Sequence, residues 1–301
     1  MYDLIIVGAG PAGITASIYA ARKKIDFLVI SEDVGGQAAL SWDVENYTGY
    51  QFITGPELAD KFQEHLDHYK IALRESESVK ELSPQNNIIN IKTDKGTYQA
   101  KTCIIASGKR SRELNVPGEK EFKNKGLTYC ATCDGPLFSG KDVVIIGGGN
   151  SALDAALGLL KIANKIFIVN DSLGLHGDQV LMDKVSSHEK VTVLNSSSIL
   201  GISGDRFVSG IKIRRNDKEE EIKVQGVFVE IGLIPNSEFT RDIAKNEKNE
   251  IIVDCENKTN AEGVYAAGDV TNVVEKQIII AAGEGSKAAL SVFKYLSRIK
   301  E

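Results

Sequence analysis

The sequence predicts an α/β protein of two domains, each a mainly parallel sheet flanked by helices, with the second domain inserted into the first. Three observations predict it. A glycine-rich turn between a short apolar strand and a helix occurs twice, beginning at Gly8 and again at Gly147. Each copy is followed by another apolar strand, an alternating hairpin and a closing strand, so a whole domain is repeated rather than a short solenoid unit. A third glycine turn, Gly268-Asp269, leads into a helical tail near the carboxyl end, and the inserted copy has no such tail. A length of 301 residues suits two domains of ordinary size.

The first copy opens with Leu4-Ile5-Ile6-Val7, an apolar run suited to a buried parallel strand. Gly8-Ala9-Gly10-Pro11-Ala12-Gly13 follows, then an Ala-rich helix from Ile14 to Arg22 and a strand Phe27-Leu28-Val29-Ile30. In this Rossmann-like pattern Gly8 permits the tight turn. Gly10 lets the backbone approach a pyrophosphate, and Gly13 allows helix and strand to pack closely. The helix amino terminus offers free N–H groups and partial positive charge to phosphates. Glu32, just after the second strand, is placed to accept hydrogen bonds from a ribose. A turn at Thr93–Gly96 and a strand ending Ile104-Ile105 close the unit.

The second copy runs Val143–Ile146 as strand, Gly147-Gly148-Gly149-Asn150-Ser151-Ala152 as turn, a helix to about Ile162, and a strand Ile166–Val169. Its hairpin turn lies at Asn216–Lys218 and its closing strand at Val227–Ile231. The chain then returns to the first domain. Val264–Ala267 reads as a strand ending in Gly268-Asp269, and a final helix is expected from about Ser286 to Ile299. Pro117-Gly118 and Pro235-Asn236 punctuate the crossovers. The expected division is 1–113 with 242–301 for the first domain and 114–241 for the insert.

Composition narrows the partners. There are 36 basic and 41 acidic residues, a net charge of −5, which leaves no basic footprint for nucleic acid or an anionic membrane. No apolar run approaches the roughly 18 residues of a membrane span, and the first residues do not resemble a secretion signal. A cytoplasmic protein is expected. Four cysteines are too few for a disulfide scaffold.

Two of them form Cys130-Ala131-Thr132-Cys133, followed by Asp134. A structural zinc site needs four ligands. Here Cys103 and Cys255 stand alone in strand-like contexts and are read as inert core thiols. His65 and His68 lie on an amphipathic helix with the apolar face Leu58, Phe62, Leu66 and Tyr69, and are read as a solvated face. No metal site is expected. A redox dithiol needs only two closely spaced sulfurs and an electron carrier, and this reading is preferred.

The whole constellation resembles the low-molecular-weight thioredoxin reductases and the flavoprotein subunit of alkyl hydroperoxide reductase. The likeness rests on Gly8–Gly13, Gly35-Gly36-Gln37, Val44–Tyr47, Cys130–Asp134, Gly147–Ala152 and Gly268-Asp269 through Gly285. It implies FAD in the discontinuous domain, contacted by Gly8, Gly10, Pro11, Ala12, Gly13, Glu32, Gly36, Gln37, Asn46, Gly268, Asp269, Gln277 and Ile278. The final helix would point its amino terminus at the flavin. Cys133 would be the thiol against the flavin, Cys130 the thiol that attacks a partner disulfide, and Asp134 the proton donor and acceptor beside them. The partner implied is thioredoxin or a thioredoxin-like protein, and the usual assembly is a homodimer.

The electron donor is where the pattern departs. NADPH-using members carry an H-R-R-x-x-x-R segment, whereas Asn170–His176 here contains no arginine. Losing two guanidinium contacts to a 2′-phosphate would cost ~3–6 kcal/mol, and Asp171 adds repulsion, so NADPH is not expected. Two donors stay open. NADH would use Gly147, Gly149, Asn150, Ser151 and Ala152, with Asp171 on its free ribose; ferredoxin would need no nucleotide site. The chain starts directly at the first strand, so the acceptor is expected to be a separate protein. Alternative functions are an NADH-dependent disulfide reductase of a peroxiredoxin system, or a flavin-bound redox sensor without turnover.

Overall fold

The computed structural model describes residues 1–40, 43–85, 87–129 and 131–299, apart from the side chains of Leu40, Asp43, Thr132 and Cys133. Its helices are α1 (Pro11–Arg22), α2 (Gly55–His68), α3 (Glu119–Phe122), α4 (Ala131–Asp134), α5 (Asn150–Leu160), α6 (Gln179–Ser186) and α7 (Ile278–Ile299). The chain divides into two compact units, 1–110 with 234–301, and 111–233.

In the discontinuous unit the strands run in the order Leu73–Arg74, Phe27–Val34, Tyr2–Ala9, Thr97–Ile105, Ile88–Thr93 and Val79–Gln85, with Val264–Ala266 also paired to Thr97–Ile105. Tyr2–Ala9 is parallel to both neighbours, pairing Ile6 with Val29 and with Ile104. Both of its faces are covered, so Leu4, Ile5, Ile6 and Val7 form an unbroken buried run rather than an alternating one. On one face α1, α2 and α7 bury Ile14, Leu58, Phe62 and Val292. On the other, the hairpin and the 239–270 segment bury Ile89, Ile91, Ile243 and Val270. Thr54 caps α2 reciprocally with Glu57, which satisfies two otherwise orphaned donors.

The inserted unit has a five-stranded parallel sheet ordered Leu127–Thr128, Gly226–Val229, Asp142–Ile146, Lys165–Val169 and Val191–Leu194. A separate antiparallel sheet of Ser197–Gly204, Val208–Arg215 and Lys218–Lys223 packs within the same unit. The α/β class with a repeated Rossmann-like domain is observed as expected.

Three expectations are corrected. The units divide at 110/111 and 233/234 rather than at 113/114 and 241/242. Arg112 N donates to the Gly232 carbonyl within the insert. Asn236 is tied to Ser107 by two bonds of 2.6 and 2.8 Å, and Phe239 O accepts from Leu82 N, so 236–241 belong to the discontinuous unit. The last helix begins at Ile278, not Ser286. Its Gly285 is a packing contact, because a Cβ there would lie 2.0 Å from the Ala12 carbonyl oxygen. Finally, Cys255 is exposed rather than a core thiol. It sits in a turn organised by the Asp254 carboxylate, which accepts from Glu256 N and Lys258 N. Cys103 is buried as expected, and burial pushes its thiol pKa far up.

Candidate active site

A cavity of about 560 Å³ opens in the discontinuous unit at the carboxyl end of its central strands, where parallel α/β sheets bind ligands. Its floor is the turn from Gly8 to Ala12. Gly8 has φ +102°, and a Cβ there would stand 2.3 Å from the Ala106 carbonyl oxygen. A Cβ on Gly13 would be 1.8 Å from Gly8 O, so Gly13 serves the packing of α1 and does not line the cavity. A Cβ on Gly10 would meet only open space, which leaves that backbone free to face a ligand. Gly10 also caps α1 without a side-chain bond, and Pro11 follows in its first turn, so the helix presents bare N–H groups.

The rim carries the other expected residues. Glu32 lines the cavity and accepts a hydrogen bond from Ser78 Oγ, which in turn accepts from Lys80 Nζ at 2.9 Å. Gly36, Gln37, Gly268, Asp269, Gln277 and Ile278 line it as well. Gly268 has φ +77°, and its hypothetical Cβ would lie 3.0 Å from that of Ala12, which ties the Gly-Asp turn to α1. Asn46 does not line the cavity; its Nδ2 donates to Gln277 Oε1 at 3.1 Å. Burial raises the pKa of Asp269, and the nearby Lys276 and Lys109 ammonium groups oppose that rise.

Those two lysines carry no signal in the sequence. Lys109 and Lys276 both line the cavity and both bond Glu250 Oε1, at 3.0 and 3.2 Å. Burial works against the ionised Glu250, but bonds from Asn246, Lys109 and Lys276 hold its pKa down to about 2. Lys109 and Glu250 are 141 positions apart, and no local pattern links them.

In the inserted unit the second glycine turn has the same form. Gly147 has φ +138°, with its hypothetical Cβ 2.1 Å from Glu230 O, and Gly149 caps α5 without a side-chain bond. Asn150 Oδ1 accepts from Asp178 N at 2.7 Å. Ser151 and Ala152 begin α5, and Ala152 is buried. The His176 backbone N–H donates to Gly148 O at 2.8 Å, and its ring lies against Gly148 and Gly149. A search of 170–176 for arginine alone passes over this histidine. Asn170 spends its amide inside the unit, donating to Asn195 Oδ1 at 2.7 Å and accepting from Ser172 N. Asp171 is exposed, and its Oδ1 accepts from Ser172 Oγ at 3.4 Å. Glu230, also unforeseen, is pushed up to about 8 by burial and by the charge of Asp154.

Cys130 and the side chain of Cys133 lie outside the described residues. Asp134 ends α4 and is half-buried. The chain behind it is fixed by Phe138, which meets Phe228 edge-on with ring centroids 5.0 Å apart. No group of three or more metal-ligating side chains occurs among the described residues.

Two glycine-turn folds, one holding a cofactor-sized cavity and the other a CxxC segment, define a nucleotide-dependent oxidoreductase. The chain belongs to the pyridine nucleotide-disulphide oxidoreductase family, which matches residues 2–285. Enzymes of this kind bind FAD and NAD(P)H. The chain is 42% identical over 301 residues to an NADH dehydrogenase of Ferdinandcohnia aciditolerans, covering 99% of this chain and 58% of the relative. It is 41% identical over 307 residues to a subunit of the alkyl hydroperoxide reductase of Escherichia coli, covering 99% and 59%. The chain thus spans about three-fifths of the length of these curated relatives. A crystal structure of Lactococcus lactis thioredoxin reductase superposes with a TM-score of 0.91 at 32% identity, covering 99% of this chain and all of that one. No helix among the described residues is long and apolar enough to cross a membrane.

Proposed function

We propose that the chain is an NADH-dependent flavoprotein that reduces a protein disulfide, thioredoxin or a thioredoxin-like domain, through Cys130 and Cys133. The observation that carries this reading is the cavity itself. Its 560 Å³ falls within the roughly 300–1,000 Å³ of small-molecule sites. The residues present fit FAD: bare N–H groups of Gly10 and Ala12 for the pyrophosphate, Glu32 for the ribose, Asp269 for the ribityl chain, and Gln277-Ile278 at the start of α7 for the ring. Bound FAD supplies the two-electron chemistry that joins a hydride donor to a disulfide.

The remaining steps belong to the chain. In the reduced dithiol the Cys130 thiolate attacks the partner disulfide and forms a mixed disulfide, releasing one partner thiolate. Asp134 protonates that leaving group. Cys133 then attacks Cys130 Sγ, which frees the second partner thiol and leaves the Cys130–Cys133 disulfide. Two electrons pass to the partner in each cycle, and the pair must be reduced again before the next. A homodimer working in the cytoplasm, where such dithiols are turned over, completes the reading.

NADH is favoured as donor because Gly147, Gly149, Asn150 and Ser151 keep the phosphate-binding form while 170–176 offers an exposed Asp171 and no arginine. The NADH dehydrogenase relative points the same way. Anaerobic titration of the flavin with NADH, NADPH and reduced ferredoxin in parallel tests it. NADH should bleach the flavin stoichiometrically. Bleaching by NADPH with equal efficiency, or by ferredoxin alone, would overturn the donor assignment.

A further inference from the structure

Lys109 and Lys276 bring two ammonium groups to the cavity wall beside Asp269. Their donors are spent differently. Lys276 Nζ donates to the Asp269 carbonyl at 3.4 Å, to the Thr271 carbonyl, and to Glu250 Oε1 at 3.2 Å. All three of its N–H donors are thereby engaged by the protein. Lys109 Nζ donates to Glu250 Oε1 at 3.0 Å and, among the described residues, to nothing else. Two of its donors remain for whatever occupies the cavity. Its side chain is only 13% exposed, so solvent screens the charge weakly.

Glu250 holds this ammonium in place and is itself held. Its Oε2 accepts from Asn246 Nδ2 at 2.8 Å, and its backbone N–H donates to Asn246 Oδ1 at 3.0 Å. The two lysines and the carboxylates of Glu250 and Asp269 balance in formal charge. Removing Lys109 would leave this group of four with one uncompensated negative charge.

We propose that Lys109, anchored by Glu250, raises the reduction potential of the flavin by stabilising its reduced form. Hydride transfer carries two electrons and one proton from the nicotinamide to FAD, so NADH becomes NAD⁺ and the flavin ring gains one negative charge. A fixed, largely buried ammonium at the cavity wall lowers the energy of that added charge and needs no reorganisation to do so. Glu250 acts through Lys109 as a positioning residue, and its own charge tempers the effect. The inference deepens the flavoprotein reading above and rests on it.

The test is the two-electron midpoint potential of the FAD-loaded protein, measured by equilibration with reference dyes in wild type, Lys109→Gln, Lys109→Arg and Glu250→Gln. Lys109→Gln should shift the reduced-to-oxidised ratio at fixed potential about tenfold toward oxidised, ~30 mV for a two-electron couple. Lys109→Arg should stay near wild type. Glu250→Gln removes the counter-charge and should move the potential upward, which keeps the test decisive if Lys109→Gln fails to fold. Potentials equal to wild type in both neutralised variants, with FAD bound, would overturn the proposal and leave the flavoprotein reading intact. A wild-type protein that takes up no FAD would overturn both.

Discussion

Asn46 and Gln277 stand 231 positions apart in the chain, yet Asn46 Nδ2 donates to Gln277 Oε1 at 3.1 Å. The bond joins the segment after Gly36-Gln37 to the residue that precedes α7, and so ties Gln277, which lines the cavity, to a distant part of the chain. Asn46→Ala and Gln277→Ala should each weaken flavin binding several-fold, about 1 kcal/mol, because each breaks the bond that holds Gln277 in place. A double-mutant cycle on the apoprotein, read by flavin fluorescence, should show coupling between them. Strict additivity would mean that the two side chains act independently.

The two glycines of α7 make opposite predictions. A Cβ at Gly285 would sit 2.0 Å from Ala12 O, whereas at Gly283 it would meet nothing. Gly285→Ala should therefore cost ~3 kcal/mol by forcing α1 and α7 apart. Gly283→Ala should be neutral or stabilise by up to about 1 kcal/mol, since Ala is the better helix former. Denaturant melts of the two variants compare them directly; equal effects would contradict the packing.

The same glycines explain what could be read from the sequence. Gly8, Gly13 and Gly147 announce themselves because they fall in a repeated strand–turn–helix spacing, although the backbone atoms that a Cβ would meet at Gly8 and Gly147 belong to the distant Ala106 and Glu230. Gly285 answers the same kind of demand from Ala12, but it lies outside that spacing, so read alone it looks like a helix breaker. Lys109, Glu250 and Lys276 carry no local signature, because their association exists only once the sheet has brought 109 beside 250. The boundary at 233 was hidden for a similar reason. Asn236 and Phe239 look like linker until their bonds to Ser107 and Leu82 are seen.

Glu230 gives the fold a pH dependence. Burial first, and then Asp154, raise its folded pKa to about 8, so the native state keeps a proton that the unfolded chain releases near pH 4.5. Stability from this group is fully present below about pH 4.5 and declines as the pH rises toward 8, a loss on the order of 5 kcal/mol. Glu230→Gln cannot ionise. Its stability advantage over wild type should be small at pH 5 and grow through pH 8. A difference that stays constant with pH would show that Glu230 ionises freely in the folded protein.

The two cysteines should separate by spectrum. Cys130→Ser should abolish disulfide reduction while leaving flavin reduction intact, and it should expose a Cys133 thiolate–flavin charge-transfer band at long wavelength. Cys133→Ser should lack the band and trap the acceptor on Cys130 as a mixed disulfide, visible on a non-reducing gel. The reverse pattern would exchange the two roles.

The central claim is that electrons entering the flavin leave through the dithiol to a protein disulfide. It is tested most directly by mixing anaerobically reduced protein with oxidised thioredoxin and following the flavin absorbance. The account predicts yellow colour returning as two thiols appear per flavin reoxidised, with no such return in the Cys130→Ser variant. Reduced flavin that persists in the presence of the disulfide and is reoxidised only by oxygen or a quinone would contradict it.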